Sequence, residues 1–328
     1  MNILKQNKLL IFAGLILTAG SALAEENLWL YTKGTDTRPQ GSWELKLSDI
    51  SRLGKDSGHY RFDDIRPEVE YGVTDKLTVG AKIMLFNHRY SVNDPELNPM
   101  YETQGGDDET FNKFQFGGFE VGAKYNVLSP YKDPLGLSFA AAFEHRSAYR
   151  LDGADIDQDS IVLQALVQKN FLDDTLVFAL NSKVEFERRK AGGVLEEEIA
   201  FDISAGVSYR VAPKWFVGIE ARWQSDFLNP QESGEAGNPG FDSEGFEEGV
   251  GRSSWDLSDM RLGDQFQYGT YIGPTLHYAS EGWWLTLGAL YQIKGGGDDS
   301  RNAANNTSGR NWDEHEKWHL GATVGFEF

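Results

Sequence analysis

The sequence lacks three features, and each absence excludes a class of protein. There is no cysteine among 328 residues, so disulfides cannot stabilise the fold, and stability must come from a large core or a closed sheet. No stretch of roughly 18 uncharged apolar residues occurs, which excludes a membrane protein built from spanning helices. Basic residues are also scarce: 31 lysines and arginines stand against 50 acidic residues, and the net charge of -19 argues against nucleic acid as a partner.

The start of the chain has the pattern of a secretory signal peptide. Lys5 and Lys8 precede an apolar run from Leu9 to Leu17, and small residues follow up to Ala24. The run is shorter than the ~20 residues that a spanning helix needs. We predict that residues 1–24 are a signal peptide and that residues 25–328 form one exported domain.

Apolar and polar residues alternate along much of the remaining chain. The final segment, HLGATVGFEF (319–328), places its apolar side chains on one face and small or polar ones on the other, which is the period of two expected of a strand. About twelve such segments occur after residue 42. The 36 glycines and 13% aromatic residues also favour an all-β protein with many strands.

The connections between these segments alternate between short and long. This parity places all long connections at one end of antiparallel strands and both chain termini at the other, an arrangement that a soluble β-sandwich has no reason to keep. Strands of about ten residues also match the hydrocarbon thickness of a bilayer. We predict an all-β fold, a transmembrane antiparallel up-and-down β-barrel of about 12 strands with long extracellular loops and short periplasmic turns. The short turns lie at 72–75, 128–134, 171–174, 211–214 and 279–282, and the long loops near 52–60, 87–113, 147–159, 188–197, 225–267 and 293–317.

Aromatic residues recur at the turn ends of the outward faces, as in the interfacial girdles of membrane barrels. The chain resembles Gram-negative outer-membrane β-barrel proteins of a porin-like, poorly characterised family in its signal peptide, the stretch YGVTDKLTVGAK, the pair GPTLHY and WWLTLGALYQ, and the terminal Phe328. The resemblance implies an outer-membrane location, contact with outer-membrane lipids, and help from periplasmic chaperones during biogenesis. It also implies that Phe326 and Phe328 form the signal read by the barrel-assembly machinery.

The strand faces opposite the lipid carry charges of both signs. Such side chains either line a water-filled path or pack the interior shut, because barrels of intermediate size allow both outcomes. The predicted pore-lining residues are Glu44, Lys46, Arg66, Glu68, Glu70, Lys82, Glu120, Lys124, Lys183, Glu185, Glu187, Asp202, Glu220, Arg222 and His319.

The long loops are acidic, which favours cations at the mouth if these charges are not simply solvating the loops. Within DIDQDS, the carboxylates of Asp155, Asp157 and Asp159 resemble the start of a calcium loop, so they form a weak calcium candidate. Ser160 and Leu166 stand where a calcium loop needs glycine and a bidentate glutamate. The loop from Phe227 to Phe266 is the longest, and we expect it to be the one that folds inward.

Catalytic motifs are missing, and we expect neither an enzyme nor a cofactor. No nucleophile elbow, zinc motif or phosphate-binding loop occurs, and His145 and Ser147 share a strand face without Glu144, so they do not form a triad. The sequence therefore favours a porin-like channel for passive diffusion of small hydrophilic solutes or cations. The alternatives are a plugged structural or adhesive barrel and an outer-membrane lipid-modifying enzyme.

Overall fold

The computed structural model describes residues 27–56, 58–91, 110–191, 194–228, 262–263, 265–297, 309–312 and 314–328. The predicted signal peptide, most of the longest loop and the acidic stretch 94–109 lie outside the described residues. Among the residues described, no helix is long and apolar enough to cross a membrane.

The described chain forms twelve strands, which confirms the predicted strand number. They are β1 (Trp43–Leu53), β2 (His59–Thr74), β3 (Leu77–Ser91), β4 (Thr110–Leu128), β5 (Gly136–Ala148), β6 (Asp155–Phe171), β7 (Leu176–Ala191), β8 (Val194–Ala212), β9 (Trp215–Leu228), β10 (Gln265–Ser280), β11 (Trp283–Gly296) and β12 (Trp318–Glu327).

Each strand pairs with its neighbours in sequence, and β1 pairs with β12 to close the barrel. All pairs are antiparallel. Trp43 and Phe328 complete the seam by exchanging backbone hydrogen bonds of 3.0 and 2.9 Å. Closure leaves no sheet edge unpaired, as a barrel in lipid requires. We call the end with Trp43, Phe328 and the short turns the turn end, and the opposite end the loop end.

The outer face is apolar, and aromatic rings surround it at the turn end. Outward side chains such as Leu45, Leu47 and Ile219 are 47–59% exposed, which is the expected state of a face that contacts lipid. Ring pairs form part of the aromatic band, including Trp43 with Tyr71 at 4.5 Å between centroids. The other two pairs are Trp215 with Tyr278 and Tyr278 with Trp283, at 4.7 and 5.2 Å.

Several strands are longer than the predicted ten residues. Strands β4 and β8 have 19 residues each. β7 and β8 continue to Ala191 and from Val194, so the connection predicted as a long loop at 188–197 is mostly strand. Once two strands are paired, each further residue can add hydrogen bonds to the ladder. Pairing therefore continues beyond the apolar band toward the loop end, where the outward side chains are polar.

A bulge in β4 keeps its outward face in register. Phe116 and Phe119 both point outward although three positions separate them, and the pairing with β3 shifts between Met84 and Leu85. Gly118 absorbs the shift with a φ of 140°, and a Cβ atom there would lie 2.0 Å from the carbonyl oxygen of His145. Only glycine fits this position without displacing the backbone of β5.

We expect Gly118→Ala to lower the free energy of unfolding by about 2 kcal/mol or more, because it adds backbone strain and a clash with β5. Urea unfolding in lipid vesicles, followed by tryptophan fluorescence, measures the loss. Gly80→Ala is the control, since its nearest contact is the flexible Glu70 side chain at 3.2 Å. Equal stability of the two variants would contradict this account of the bulge.

Candidate functional site

The inner wall of the barrel carries the charged residues that the sequence assigned to the lumen. All of them lie on the face opposite the exposed apolar side chains: Glu44, Glu220 and His319 are completely buried, and the others are buried or half-buried. Whether they line a conducting path stays a prediction.

Ion pairs connect neighbouring strands along this wall. Lys46 Nζ lies 2.5 Å from a carboxylate oxygen of Glu70, and Lys82 lies 2.9 Å from Glu120. Further round the barrel, Arg222 contacts Asp202 at 2.7 Å. Arg146 contacts Glu144 and also Glu185, the latter at 2.9 Å, and Lys183 lies 3.0 Å from Glu185. Pairing offsets the cost of placing these charges in a confined space.

Residues 27–42, which we call the lumen segment, run inside the barrel and leave it at the turn end, where Gln40 and Gly41 are exposed. This segment is not part of the sheet, so its backbone groups need side-chain partners. Glu220 on β9 accepts hydrogen bonds from the backbone N–H groups of Leu30, Tyr31 and Thr32, at 3.0, 2.9 and 2.6 Å. Asn181 on β7 accepts from Lys33 at 2.6 Å and returns a hydrogen bond to its carbonyl at 2.9 Å. One carboxylate therefore fixes three consecutive residues of the segment.

Glycines on the inner wall make room for the apolar part of the lumen segment. Trp29 lies against Gly206, and Leu30 lies against Gly288 and Gly321. A Cβ atom at Gly206 would come within 2.3 Å of the Trp29 indole. These wall positions are inward-facing, and any side chain there would displace the segment.

Arg38 holds the lumen segment near the seam of the barrel. Its guanidinium contacts Glu327 at 2.9 Å and Glu44 at 3.3 Å. Its backbone N–H donates to the Thr78 hydroxyl at 2.8 Å. The side chain is 1% exposed, so water does not compete for these bonds.

Two connections fold inward at the loop end. In the β5–β6 connection, the carbonyls of Leu151 and Asp152 accept hydrogen bonds from Tyr60 and Tyr90 at 2.7 and 2.9 Å. In the β11–β12 connection, Tyr271 donates to the carbonyl of Glu316 at 3.0 Å, and Gln292 binds the backbone of Asn311. The expected inward loop, Phe227 to Phe266, lies mostly outside the described residues.

A hydrogen-bonded chain links the lumen segment to the second of these connections. Tyr31 Oη lies 2.8 Å from His319 Nδ1, and His319 Nε2 lies 3.2 Å from Glu316. Glu316 is also 3.3 Å from Lys55. Burial acts to raise the pKa of Glu316, but Lys55 and the hydrogen bond from His319 outweigh it and hold this pKa well below its usual range. Since the carboxylate is ionised, His319 donates to it and accepts from the Tyr31 hydroxyl.

Burial also shifts the pKa of two other groups outside the strands. It lowers the pKa of His315 to about 3 against the opposing charge of Glu316, so the imidazole is neutral at pH 7. It raises the pKa of Asp36 to about 6, although a hydrogen bond from Tyr131 acts in the opposite direction.

The interior of the described barrel includes two small cavities with charged residues in their walls. One of about 80 Å³ lies toward the turn end and is lined by Lys33, Glu68, Lys82, Glu120 and Lys124 among others. The other, of about 110 Å³, lies toward the loop end and is lined by charged residues that include Arg52, Arg150 and Arg222. Polar spaces of this size hold water.

The calcium candidate lies on the outer face of the barrel. Asp155 contacts Lys113 at 3.0 Å, whereas Asp159 contacts His145 at 2.9 Å. The structure groups His145, Asp157 and Asp159, whose potential ligand atoms all lie within 4.8 Å of one another. This set mixes nitrogen with oxygen, which suits zinc or a similar metal better than calcium. Calcium binding by the three aspartates stays a prediction.

The structure separates the groups considered for catalysis. Ser147 Oγ donates to the carbonyl of Phe116 at 3.1 Å, and His145 is bonded to Asp159 instead. Glu144 faces the lumen with Arg146. No nucleophile and base meet in this group.

Sequence reasoning missed the lumen segment and several inner-wall residues. Arg52 was assigned to a loop, but β1 extends to Leu53 and places it across from His319. Asp64 on β2, which contacts Arg66 at 2.8 Å, is also absent from the predicted inner wall. The sequence does contain one indication of the lumen segment: Trp29 and Tyr31, two large aromatic residues ahead of β1, favour a buried position for this part of the chain.

We expect Glu220→Gln to loosen the lumen segment, because a neutral amide cannot accept three backbone hydrogen bonds and each charge-assisted bond is worth about 1.5–3 kcal/mol. The chain has no cysteine, so Lys33→Cys supplies a single reporter thiol. Its reaction with a water-soluble maleimide should accelerate at least about tenfold in the Glu220→Gln background.

Glu120→Gln serves as the matched control. Glu120 also faces the lumen but pairs with Lys82, and it makes no hydrogen bond or ion pair to the lumen segment among the described residues. Similar thiol reactivity in both backgrounds would show that Glu220 does not hold the segment.

Comparison with known proteins agrees with this architecture. No curated protein sequence matches the chain. The fold is similar to that of the COG4313 outer membrane channel from Pseudomonas putida F1, with a TM-score of 0.56 and 11% identity over 90% of this chain and 98% of that chain. The NanC porin and the KdgM porin in complex with disordered oligogalacturonate are more distant, each with 9% identity and a TM-score of 0.43. The matches cover 86% and 87% of this chain, and 98% and 99% of theirs.

At these identities the likeness establishes the fold, and it confirms the resemblance to outer-membrane β-barrels. The family relationship comes from the sequence, in which residues 21–328 match one family over nearly the whole length. The chain folds as an outer-membrane-type barrel and belongs to DUF6662, a family of unknown function.

Proposed function

We propose that this protein is a porin-like channel of a Gram-negative outer membrane, exported with residues 1–24 as signal peptide, through which small hydrophilic solutes or ions diffuse passively. The observation that carries the proposal is a charged inner wall in a closed barrel whose outer face is apolar. Passive diffusion needs no covalent step and no cofactor.

The lumen segment sets the width of this channel. Most of its contacts with the wall are hydrogen bonds and ion pairs, from Glu220, Asn181, Thr78 and Glu327. Water can replace such bonds at a net cost of about 0.5–1.5 kcal/mol for a typical bond and more for a charged one. Trp29 and Leu30 add apolar contacts that resist release. The barrel itself does not depend on these contacts, because its strands are fully paired without the segment.

A plugged structural barrel is the second candidate, and a specific observation favours it. Thr32, Thr35 and Arg38 of the lumen segment are at most 1% exposed, and two connections fill part of the loop end. A static plug of this kind would conduct nothing. A plugged barrel would have the same partners as a channel, namely outer-membrane lipids and the assembly machinery.

Planar-bilayer recordings in asymmetric salt distinguish the two candidates. We expect the full chain to give small conductance steps, and a variant lacking residues 28–37 to give steps several times larger, because the segment occupies the lumen at the turn end. The reversal potential reports whether cations are preferred. If both proteins insert and remain silent, the channel proposal is wrong and the plugged barrel is favoured.

The proposed location makes a separate prediction about assembly. Phe326 on β12 and Phe328, which follows that strand, are 47% and 58% exposed. We expect Phe328→Ala to reduce the amount of folded, heat-modifiable protein in the outer membrane several-fold while total synthesis is unchanged. Leu320→Ala, on the same strand face, is the control. Equal amounts of folded protein for the two variants would show that Phe328 is not part of the assembly signal.

A further inference from the structure

The cavity toward the loop end contains polar groups that lack partners. Among the buried arginine N–H groups that have no hydrogen-bond partner in the described residues are Arg52 Nε, Arg150 Nε and Arg222 Nη1. All three residues line the cavity of about 110 Å³. Gln267 lines it too, and its amide oxygen is a buried acceptor without a partner. A native interior rarely leaves such groups unsatisfied without a ligand or water.

The other contacts of these arginines fix their positions. Arg222 donates to Asp202 through Nε and Nη2, at 3.0 and 2.7 Å, and its guanidinium stacks 3.9 Å from the centre of the Tyr31 ring. Arg150 donates through Nη2 to Glu144 at 3.1 Å. These bonds leave the unpartnered N–H groups on rigid side chains, so the donors are pre-organised.

Arg52 differs from the other two because it has no carboxylate partner among the described residues. Its guanidinium packs 5.7 Å from the centre of the Phe62 ring, and it faces the lumen beside His319. A cation that is left unpaired in a wall of paired charges provides net attraction for an anion. Arg52 is therefore the cation whose pairing a ligand would complete.

The remaining cavity wall restricts what that anion can be. Seven acidic side chains also line the cavity, against six basic ones, and they would repel a ligand with two or more negative charges. The free acceptor of Gln267 requires a donor, which a hydroxyl group provides. A carboxylate offers two oxygens that match guanidinium N–H groups.

We propose that this cavity is a binding site for a small hydroxylated monocarboxylate, with Arg52, Arg150 and Arg222 donating to the carboxylate and Gln267 accepting from a hydroxyl. The inference rests on the proposed channel function, since a solute reaches the site through the lumen. Tyr31 of the lumen segment supports the site from outside the cavity through its contact with Arg222.

Titration calorimetry on the full chain in detergent micelles tests the site, with glycerate as the probe and glycerol as its uncharged counterpart. We expect glycerate to bind and glycerol not to bind measurably. Arg52→Gln should weaken glycerate binding at least about tenfold, the loss expected for one charge-assisted hydrogen bond. Because Arg52 has no carboxylate partner among the described residues, this variant leaves no orphaned acid and should fold normally.

Arg61→Gln is the matched control, because Arg61 lies on the outer face of β2 beside Asp63 and should not affect binding. The site assignment is wrong if folded protein does not bind glycerate, if glycerol binds equally well, or if Arg52→Gln binds as tightly as the unaltered chain. Tighter binding of inorganic phosphate than of glycerate would overturn the assignment to a monocarboxylate.

Calorimetry does not require conduction, so this inference and the channel proposal can fail separately. A silent barrel that binds glycerate overturns the channel and keeps the site. A conducting barrel that does not bind glycerate overturns the site alone.

Discussion

The pairing of β1 with β12 is the constraint on which the rest of the structure depends. A sheet of twelve antiparallel strands has two edges, and in hydrocarbon every unpaired backbone group on an edge would cost several kcal/mol. Pairing of β1 with β12, in which Glu44 lies opposite Glu327, joins the two edges. Backbone hydrogen bonds between Trp43 and Phe328 extend this ladder by one more residue pair. Closure then divides the side chains of every strand into an outward set and an inward set, because successive residues point to opposite faces.

This division explains why so many charges are tolerated in a membrane-type barrel. Several inward charges face a partner on a neighbouring strand, as Lys82 faces Glu120 and Arg222 faces Asp202. Such pairs are strongest where water is limited, but each ion must first lose its hydration. The lumen therefore combines a rigid, paired wall with a few groups, such as Arg52, whose pairing is incomplete among the described residues. Those groups give the interior its chemical specificity.

The lumen segment uses the same wall in a different way. It contributes backbone N–H groups, and the wall supplies a carboxylate or amide at the matching height, with Glu220 serving three residues. Glycines at 206, 288 and 321 leave space for Trp29 and Leu30. Through Tyr31 and His319, the segment also contacts the connection that folds inward at the opposite end. A displacement of the segment would therefore change contacts at both ends of the lumen.

The sequence by itself determined the strand number, the closed antiparallel order and the division of side chains between the two faces, because these follow from a period of two and from the parity of turn lengths. It also identified most of the charged inner wall. Only the tertiary structure placed residues 27–42 inside the barrel, since a short segment without periodicity acquires a position only from partners on β7, β9 and β12. The same holds for Arg52, whose inward position depends on how far the ladder of β1 and β12 extends beyond the apolar band.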